Sequence, residues 1–208
     1  MAISGLLLLG FVIAHLLGNL LIYAGPDALN HYAKKLRDLG PLLWLLRGGL
    51  LVALLVHVWT SLLVARENAA ARPIRYRVQR SLATTPAART MLLSGLLVAA
   101  YLIYHLLHFT FRRAHPQLTS ATDAFGHPDV YRMVVASFQQ WPIALAYLAG
   151  MALVCLHLSH GVGSAMQTLG VTSERTLPAV AWASRLLALV MFLGYVSIPV
   201  AVLLGWLS

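Results

Sequence analysis

The chain has 208 residues, of which 60% are apolar and only 10% are charged, with a mean hydropathy of +0.77. Soluble proteins carry about 25% charged residues, so this composition excludes a soluble globular protein. The net charge of +9 lacks the basic arm or the aromatic-interleaved basic face that nucleic-acid binding needs. A single cysteine excludes an intramolecular disulfide. The unusual feature that remains is a set of nine histidines.

Five apolar stretches are each long enough to cross a hydrocarbon core of about 30 Å as a helix. They cover residues 1–24, 42–65, 91–111, 142–169 and 179–207. Gly and Pro punctuate the short polar connections, so neighbouring helices are expected to run antiparallel. We therefore predict an all-α, polytopic membrane protein in which residues 1–208 form one membrane domain of five transmembrane helices in an antiparallel bundle.

The first stretch is interpreted as a transmembrane helix rather than a signal peptide, because it lacks a basic start and a small-residue cleavage site. Since it begins at Met1, we expect a few residues to precede it in the full protein. Basic residues are nearly equal in number on the two sides, but six arginines are concentrated in the second connection: Arg66, Arg72, Arg75, Arg77, Arg80 and Arg89. This concentration favours a cytoplasmic N-terminus and an external C-terminus.

An internal repeat relates residues 4–18, SGLLLLGFVIAHLLG, to residues 94–108, SGLLVAAYLIYHLLH, with eight of fifteen positions identical. The informative matches are small or polar residues: Ser4/Ser94, Gly5/Gly95 and His15/His105. A weaker similarity relates ALLVH, which ends at His57, to ALVCLH, which ends at His157. Helices 1–2 and 3–4 are therefore predicted to be two repeated hairpins, followed by a fifth helix.

Six of the nine histidines lie inside the apolar stretches, where an ionisable side chain is costly and usually faces a protein interior. They are His15, His57, His105, His108, His157 and His160. The other three lie in polar connections and are interpreted as solvated or interfacial: His31, His115 and His127. Hydrogen bonding between helices would explain any one intramembrane histidine, but it explains the whole set poorly.

The depth of these histidines suggests two pairs. At 1.5 Å per residue, His15 and His105 lie roughly 12 and 10 Å below the outer surface, and His57 and His157 lie roughly 14 and 15 to 20 Å from the inner one. Two imidazoles at one level can bind both faces of a haem iron. A zinc site would ask for four clustered ligands, and no stretch contains Asp or Glu. Two separate pairs therefore favour two bis-histidine haems b and electron transfer.

Several nearby residues are weaker candidates. His108 and His160 each follow a ligand candidate by three residues and share its helical face; the repeat favours His105 over His108, and the ALLVH similarity favours His157 less firmly. His108 and His160 are then neighbours of a haem, contacts of its propionates, or ordinary interhelical hydrogen-bonding groups. Arg47 and Arg185 lie within apolar stretches, where they either reach the interface or neutralise haem propionates.

The chain resembles the single-subunit, di-haem cytochrome b membrane anchor of succinate dehydrogenase and quinol:fumarate reductase. The resemblance covers essentially the whole chain, through these segments: HLLGN at 15–19, GPDALNHYA at 25–33, LVHVWTSL at 55–62, RTMLLSGLLVAAYLIYHLLHF at 89–109, DVYRMV at 129–134 and LHLSHGVGSAMQTLG at 156–170. It implies that His15 and His105 hold a distal haem and that His57 and His157 hold a haem proximal to the dehydrogenase.

The resemblance also implies two partners, a flavoprotein subunit and an iron-sulfur subunit, on the cytoplasmic side of a bacterial cytoplasmic membrane. Electrons would pass between iron-sulfur clusters, two haems b and a membrane quinone, usually menaquinone, so that the chain would be the quinone-reacting subunit of a succinate:quinone oxidoreductase. Asn19, Asp27 and His31 are the quinone-site candidates. The first connection has no Glu, only Asp27 and Asp38, which argues against assuming transmembrane proton coupling.

Three other readings compete. A different di-haem, quinol-oxidising cytochrome b would carry its ligands as pairs within two helices, whereas here four helices each carry one strong candidate. A histidine-lined metal or proton transporter should contain intramembrane carboxylates and broken helices. A purely structural anchor would explain partner binding but not the matched histidine depths.

Overall fold

The computed structural model describes residues 1–71, 90–123 and 126–208, and within these ranges the chain is helical, with no strand. The helices, in chain order, are α1 (Ala2–Asn19, continued by a 3-10 turn Leu20–Ala24), α2 (Pro26–Asp38), α3 (Pro41–Ala70), α4 (Met91–His105, continued by a π-helical turn Leu106–Thr110), α5 (Pro116–Thr119), α6 (Val130–Phe138), α7 (Trp141–Thr168) and α8 (Leu177–Leu203).

Five of these helices are long and apolar enough to cross a membrane: Ala2–Ala24, Pro41–Ala70, Met91–Thr110, Trp141–Thr168 and Leu177–Leu203. Their bounds lie within five residues of the predicted ones, and the largest difference is at the end of α3, which continues to Ala70. Arg66 therefore lies in the last turns of α3, and the other five arginines of that connection lie outside the described residues. Many large apolar side chains remain exposed on these helices, as expected of surfaces that face lipid.

Two further helices, α2 and α6, lie in connections that the sequence reading treated as irregular. A glycine at φ +97°, Gly25, ends the first span, and Pro26 begins α2, because glycine tolerates that backbone angle and proline suits the first helical turn. α2 and α6 contact each other. Asn30 joins them: its amide donates to Asp129 Oδ1 (2.9 Å) and accepts from the backbone N–H of Val130 (2.8 Å) and Tyr131 (3.1 Å).

The long helices pack through small residues and several inter-helix hydrogen bonds. α7 and α8 pack against each other, α1 contacts α3, α7 and α8, and α4 contacts α7. Gly194 of α8 lies against the Leu16 side chain, and Gly150 of α7 against the ring of Tyr101. The Tyr195 hydroxyl donates to the Val12 carbonyl at 2.7 Å, an unusual acceptor because this carbonyl lies inside α1. These contacts join α1 to α8 and α4 to α7.

Candidate functional site

The structure brings together the two histidines of each predicted pair. His15 of α1 and His105 of α4, named the His15 pair, have ring centroids 5.9 Å apart with ring planes at 81°. His57 of α3 and His157 of α7, named the His57 pair, have centroids 6.3 Å apart with ring planes at 77°. Four helices thus contribute one histidine each to two separate two-ring sites.

The ring separations fit one metal ion between the two imidazoles of each pair. Imidazole nitrogens bind transition-metal ions at about 2 Å, so two rings on opposite sides of one ion have centroids about 6.3 Å apart. Buried Nδ1 atoms of His57 and His105 also lack a hydrogen-bond partner among the described residues. No group of three or more His, Cys, Asp or Glu side chains able to hold a metal occurs in the described ranges. Two imidazoles are the donor set that a haem iron would need from the protein.

Aromatic rings surround the His15 pair. Phe11 stacks on His15 with centroids 5.5 Å apart, and Tyr195 lies 6.3 Å from the same ring. His105 likewise has three aromatic neighbours, whose ring centroids lie at these distances from its own: Phe109 at 5.8 Å, Tyr147 at 5.9 Å and Tyr101 at 6.3 Å. The two histidine rings of this pair are therefore flanked by aromatic side chains from α1, α4, α7 and α8.

Small residues instead contact the His57 pair. A Cβ atom added at Gly5 would lie 3.2 Å from His57 Cε1, and one added at Gly95 would lie 3.4 Å from His157 Cε1. The Ser94 hydroxyl is 3.2 Å from His157 Nδ1. Both glycines and Ser94 belong to the Ser-Gly positions of the internal repeat. In α1 and in α4, the small residues at these positions thus lie next to a histidine of the His57 pair.

His108 is engaged elsewhere and its ring is fully buried. Its Nδ1 is 3.0 Å from the Tyr147 hydroxyl and its Nε2 is 3.1 Å from Ser137 Oγ. Because Ser137 donates its hydrogen to the Met133 carbonyl, its oxygen accepts from His108 Nε2–H, and Tyr147 donates to Nδ1. Both ring nitrogens are thereby satisfied, which supports His105 rather than His108 as the ligand.

Of the remaining haem-neighbour candidates, the two arginines are exposed, and His160 lies close to His157. Arg47 is exposed near the start of α3, with its guanidinium 5.1 Å from the centroid of the exposed Trp44 ring. Arg185 is exposed on α8, and His160 is half-buried one turn beyond His157. Stacking on an aromatic face is a common arrangement for arginine at an interface, so the structure lends no support to a propionate contact for Arg47.

The three quinone candidates are not brought together around a cavity. Asn19 donates to the His15 carbonyl at 2.8 Å at the end of α1, and Asp27 and His31 are exposed on α2. A groove of about 440 Å³ is lined by other residues near α6, including Asp129, Tyr131 and Ser208. An apolar groove of about 310 Å³ runs between α7 and α8, lined among others by Val162, Met166 and Leu187.

The sequence reading missed the aromatic surroundings of the His15 pair and the small-residue contacts of the His57 pair. Tyr147 and Ser137 gave no signal, since tyrosines and serines are common in membrane helices. The contacts of Ser94 and Gly95 with His157 did have a signal in the sequence. The Ser-Gly match was the least expected part of the internal repeat, but it was interpreted only as an aid to aligning the histidines. His115, interpreted as solvated, lies 3.2 Å from the Tyr104 hydroxyl through Nε2.

Comparison of the chain with protein-family models, with curated proteins and with solved structures finds no match in any of the three.

Proposed function

We propose that this chain is the di-haem cytochrome b membrane anchor of a succinate:quinone oxidoreductase. The observation that carries the proposal is the pair of two-histidine sites with ring separations of 5.9 and 6.3 Å. One ligand comes from each of α1, α3, α4 and α7, as expected of two repeated hairpins that share two haems between like helices of an antiparallel bundle, with α8 as the fifth span.

The residues that hold the haems are His15 and His105 for one and His57 and His157 for the other. Haem b held by these two pairs of imidazoles would supply one-electron transfer, since the histidines would leave no position free for oxygen. The protein supplies fixed rings, apolar surroundings and a chain of two sites across the membrane. Menaquinone is the proposed membrane substrate. A flavoprotein subunit and an iron-sulfur subunit on the cytoplasmic side of a bacterial membrane are the proposed partners.

The ligand distribution also favours this proposal over the competing classes. A quinol-oxidising cytochrome b with two ligands on each of two helices does not match four helices with one ligand each. A histidine-lined transporter would need a continuous polar path. Between the two pairs, however, the described part of α1 and α4 presents mainly apolar residues such as Leu9, Val12 and Leu102.

The first test is a reduced-minus-oxidised optical spectrum with haem quantitation of the purified full chain. The expected result is about two haems b per chain, and their absence after expression with adequate haem supply would overturn the proposal. Nearly perpendicular ring planes also predict a strongly anisotropic low-spin EPR signal for both ferric haems, because the two rings then donate into different iron d orbitals.

The second test concerns the partners. Expressed with its neighbouring respiratory subunits, the chain should co-purify with a flavoprotein and an iron-sulfur protein, and succinate should reduce its haems. If the chain binds two haems that quinol reduces and succinate does not, with no such subunits attached, the alternative quinol-oxidising cytochrome is correct.

A further inference from the structure

The Ser-Gly dipeptide that occurs twice, as Ser4-Gly5 in α1 and Ser94-Gly95 in α4, meets the two rings of the His57 pair. Gly5 faces His57 and Gly95 faces His157. Each of these helices therefore contributes a ligand to the His15 pair and a surface for a ligand of the His57 pair. This second role is independent of the histidine match that defines the repeat.

We propose that Ser94 is a positioning residue that fixes the tautomer of His157 and tunes the haem bound by the His57 pair. The proposal rests on the proposed function. Ser94 Oγ lies 3.1 Å from the Met91 carbonyl and 3.2 Å from His157 Nδ1. A carbonyl can only accept, so the single hydroxyl hydrogen goes to Met91, and the hydroxyl oxygen accepts a hydrogen bond from Nδ1–H. Nε2 then keeps the lone pair that a metal needs.

The equivalent serine in the other copy makes no such bond. Ser4 Oγ donates to the Met1 carbonyl at 2.9 Å; this carbonyl also lies near the His57 ring, but no hydrogen bond of ordinary length and angle reaches the buried His57 Nδ1 from the described residues. The two ligands of one haem are therefore unequal. A hydrogen bond from Nδ1–H makes an imidazole a stronger electron donor to its metal, which stabilises the ferric state and lowers the midpoint potential.

The test is a redox titration of the purified, haem-loaded protein, with Ser94→Ala beside the matched variant Ser4→Ala. His157→Ala first identifies the haem of the His57 pair as the one that disappears. Ser94→Ala should keep both haems and raise the midpoint potential of the His57-pair haem alone. Ser4→Ala should leave both potentials at their wild-type values, because its hydroxyl reaches no ring.

If Ser94→Ala loses haem and its potential cannot be measured, a third variant, Ser94→Thr, still tests the proposal. Ser94→Thr retains a hydroxyl that can still donate to a carbonyl one turn earlier in a helix, so it should keep the haem at the wild-type potential. Equal potentials in wild type, Ser94→Ala and Ser4→Ala, or equal effects of Ser94→Thr and Ser94→Ala, would overturn the role of Ser94. Wild-type protein without haem would instead overturn the proposed function.

Discussion

The two histidine pairs have nearly the same ring geometry but opposite surroundings. The His15 pair is enclosed by Phe11, Tyr101, Phe109, Tyr147 and Tyr195. The rings of the His57 pair instead lie close to the backbone of α1 and α4, at Gly5 and Gly95. Bulky aromatic side chains surround the first pair, whereas the second pair depends on glycines that let its rings lie close to the backbone. Substitutions should therefore disturb the two sites in different ways.

The largest expected effect is the loss of one haem when a histidine of either pair is replaced. His15→Ala and His105→Ala should each remove the same one of two haems, and His57→Ala and His157→Ala should each remove the other, because an iron with one imidazole left holds its haem weakly. Haem content per chain and redox titration measure this. His127→Ala, in the connection between α5 and α6, is the control and should retain both. Loss of the same haem from His15→Ala and His57→Ala would refute the pairing.

The next effect concerns the small-residue contacts. Gly5→Ala places a methyl group 3.2 Å from His57 Cε1, closer than ordinary contact, whereas Gly95→Ala places one at an ordinary 3.4 Å from His157. We expect Gly5→Ala to reduce occupancy of the His57-pair haem substantially and Gly95→Ala to reduce it little. Gly10→Ala, with no neighbour within 4 Å, is the matched control for added helix propensity. Equal occupancy in all three variants would show that the contacts do not constrain the ring.

A smaller effect is expected near the His15 pair. Tyr147→Phe removes the hydroxyl bonded to the buried Nδ1 of His108, and an unpaired buried polar atom costs about 1–3 kcal/mol. The thermal unfolding midpoint in detergent, followed by circular dichroism, should fall while both haems remain bound at the start of the scan. Tyr131→Phe, whose hydroxyl is exposed, should change the midpoint within error. Loss of the His15-pair haem from Tyr147→Phe would mean that the network supports ligation directly.

The smallest effect is expected at Arg47. Its exposed position over Trp44 predicts that Arg47→Leu leaves both midpoint potentials unchanged, because the guanidinium packs on an aromatic ring at the surface of its own helix. Arg37→Leu at the end of α2 is a comparable removal of one exposed positive charge. A shift of either haem in Arg47→Leu but not in Arg37→Leu would restore the propionate contact as its role.

Much of the plan was accessible from sequence because it depends on regular spacing. The five spans follow from apolar length, and the pairing of His15 with His105 and of His57 with His157 follows from depth at 1.5 Å per residue. The choice of His105 over His108 came from the repeat. That choice stays a prediction, and the contacts that bear on it could not be predicted: the helix changes to a π turn at Leu106–Thr110, and His108 hydrogen-bonds to Ser137 and Tyr147 on helices distant in sequence.

What the sequence could not show depends on contacts between distant residues. α2 is too polar to be predicted as a membrane span, and α6, with nine residues, is too short to be distinguished from a loop by apolar length. Asn30 and Asp129, which join them, are ninety-nine positions apart. The Ser94 contact with His157 likewise spans sixty-three positions, and nothing local to Ser94 indicates which ring it meets.

The bonds made by Asn30 also bear on the order in which the chain is assembled. Asn30 leaves the ribosome about a hundred residues before the backbone groups of Val130 and Tyr131 that it binds. Until then the Asn30 side chain lacks the three partners that it has in the finished fold. This contact between α2 and α6 can therefore close only after α1, α3 and α4 have been synthesised, so it ties an early connection of the chain to a late one.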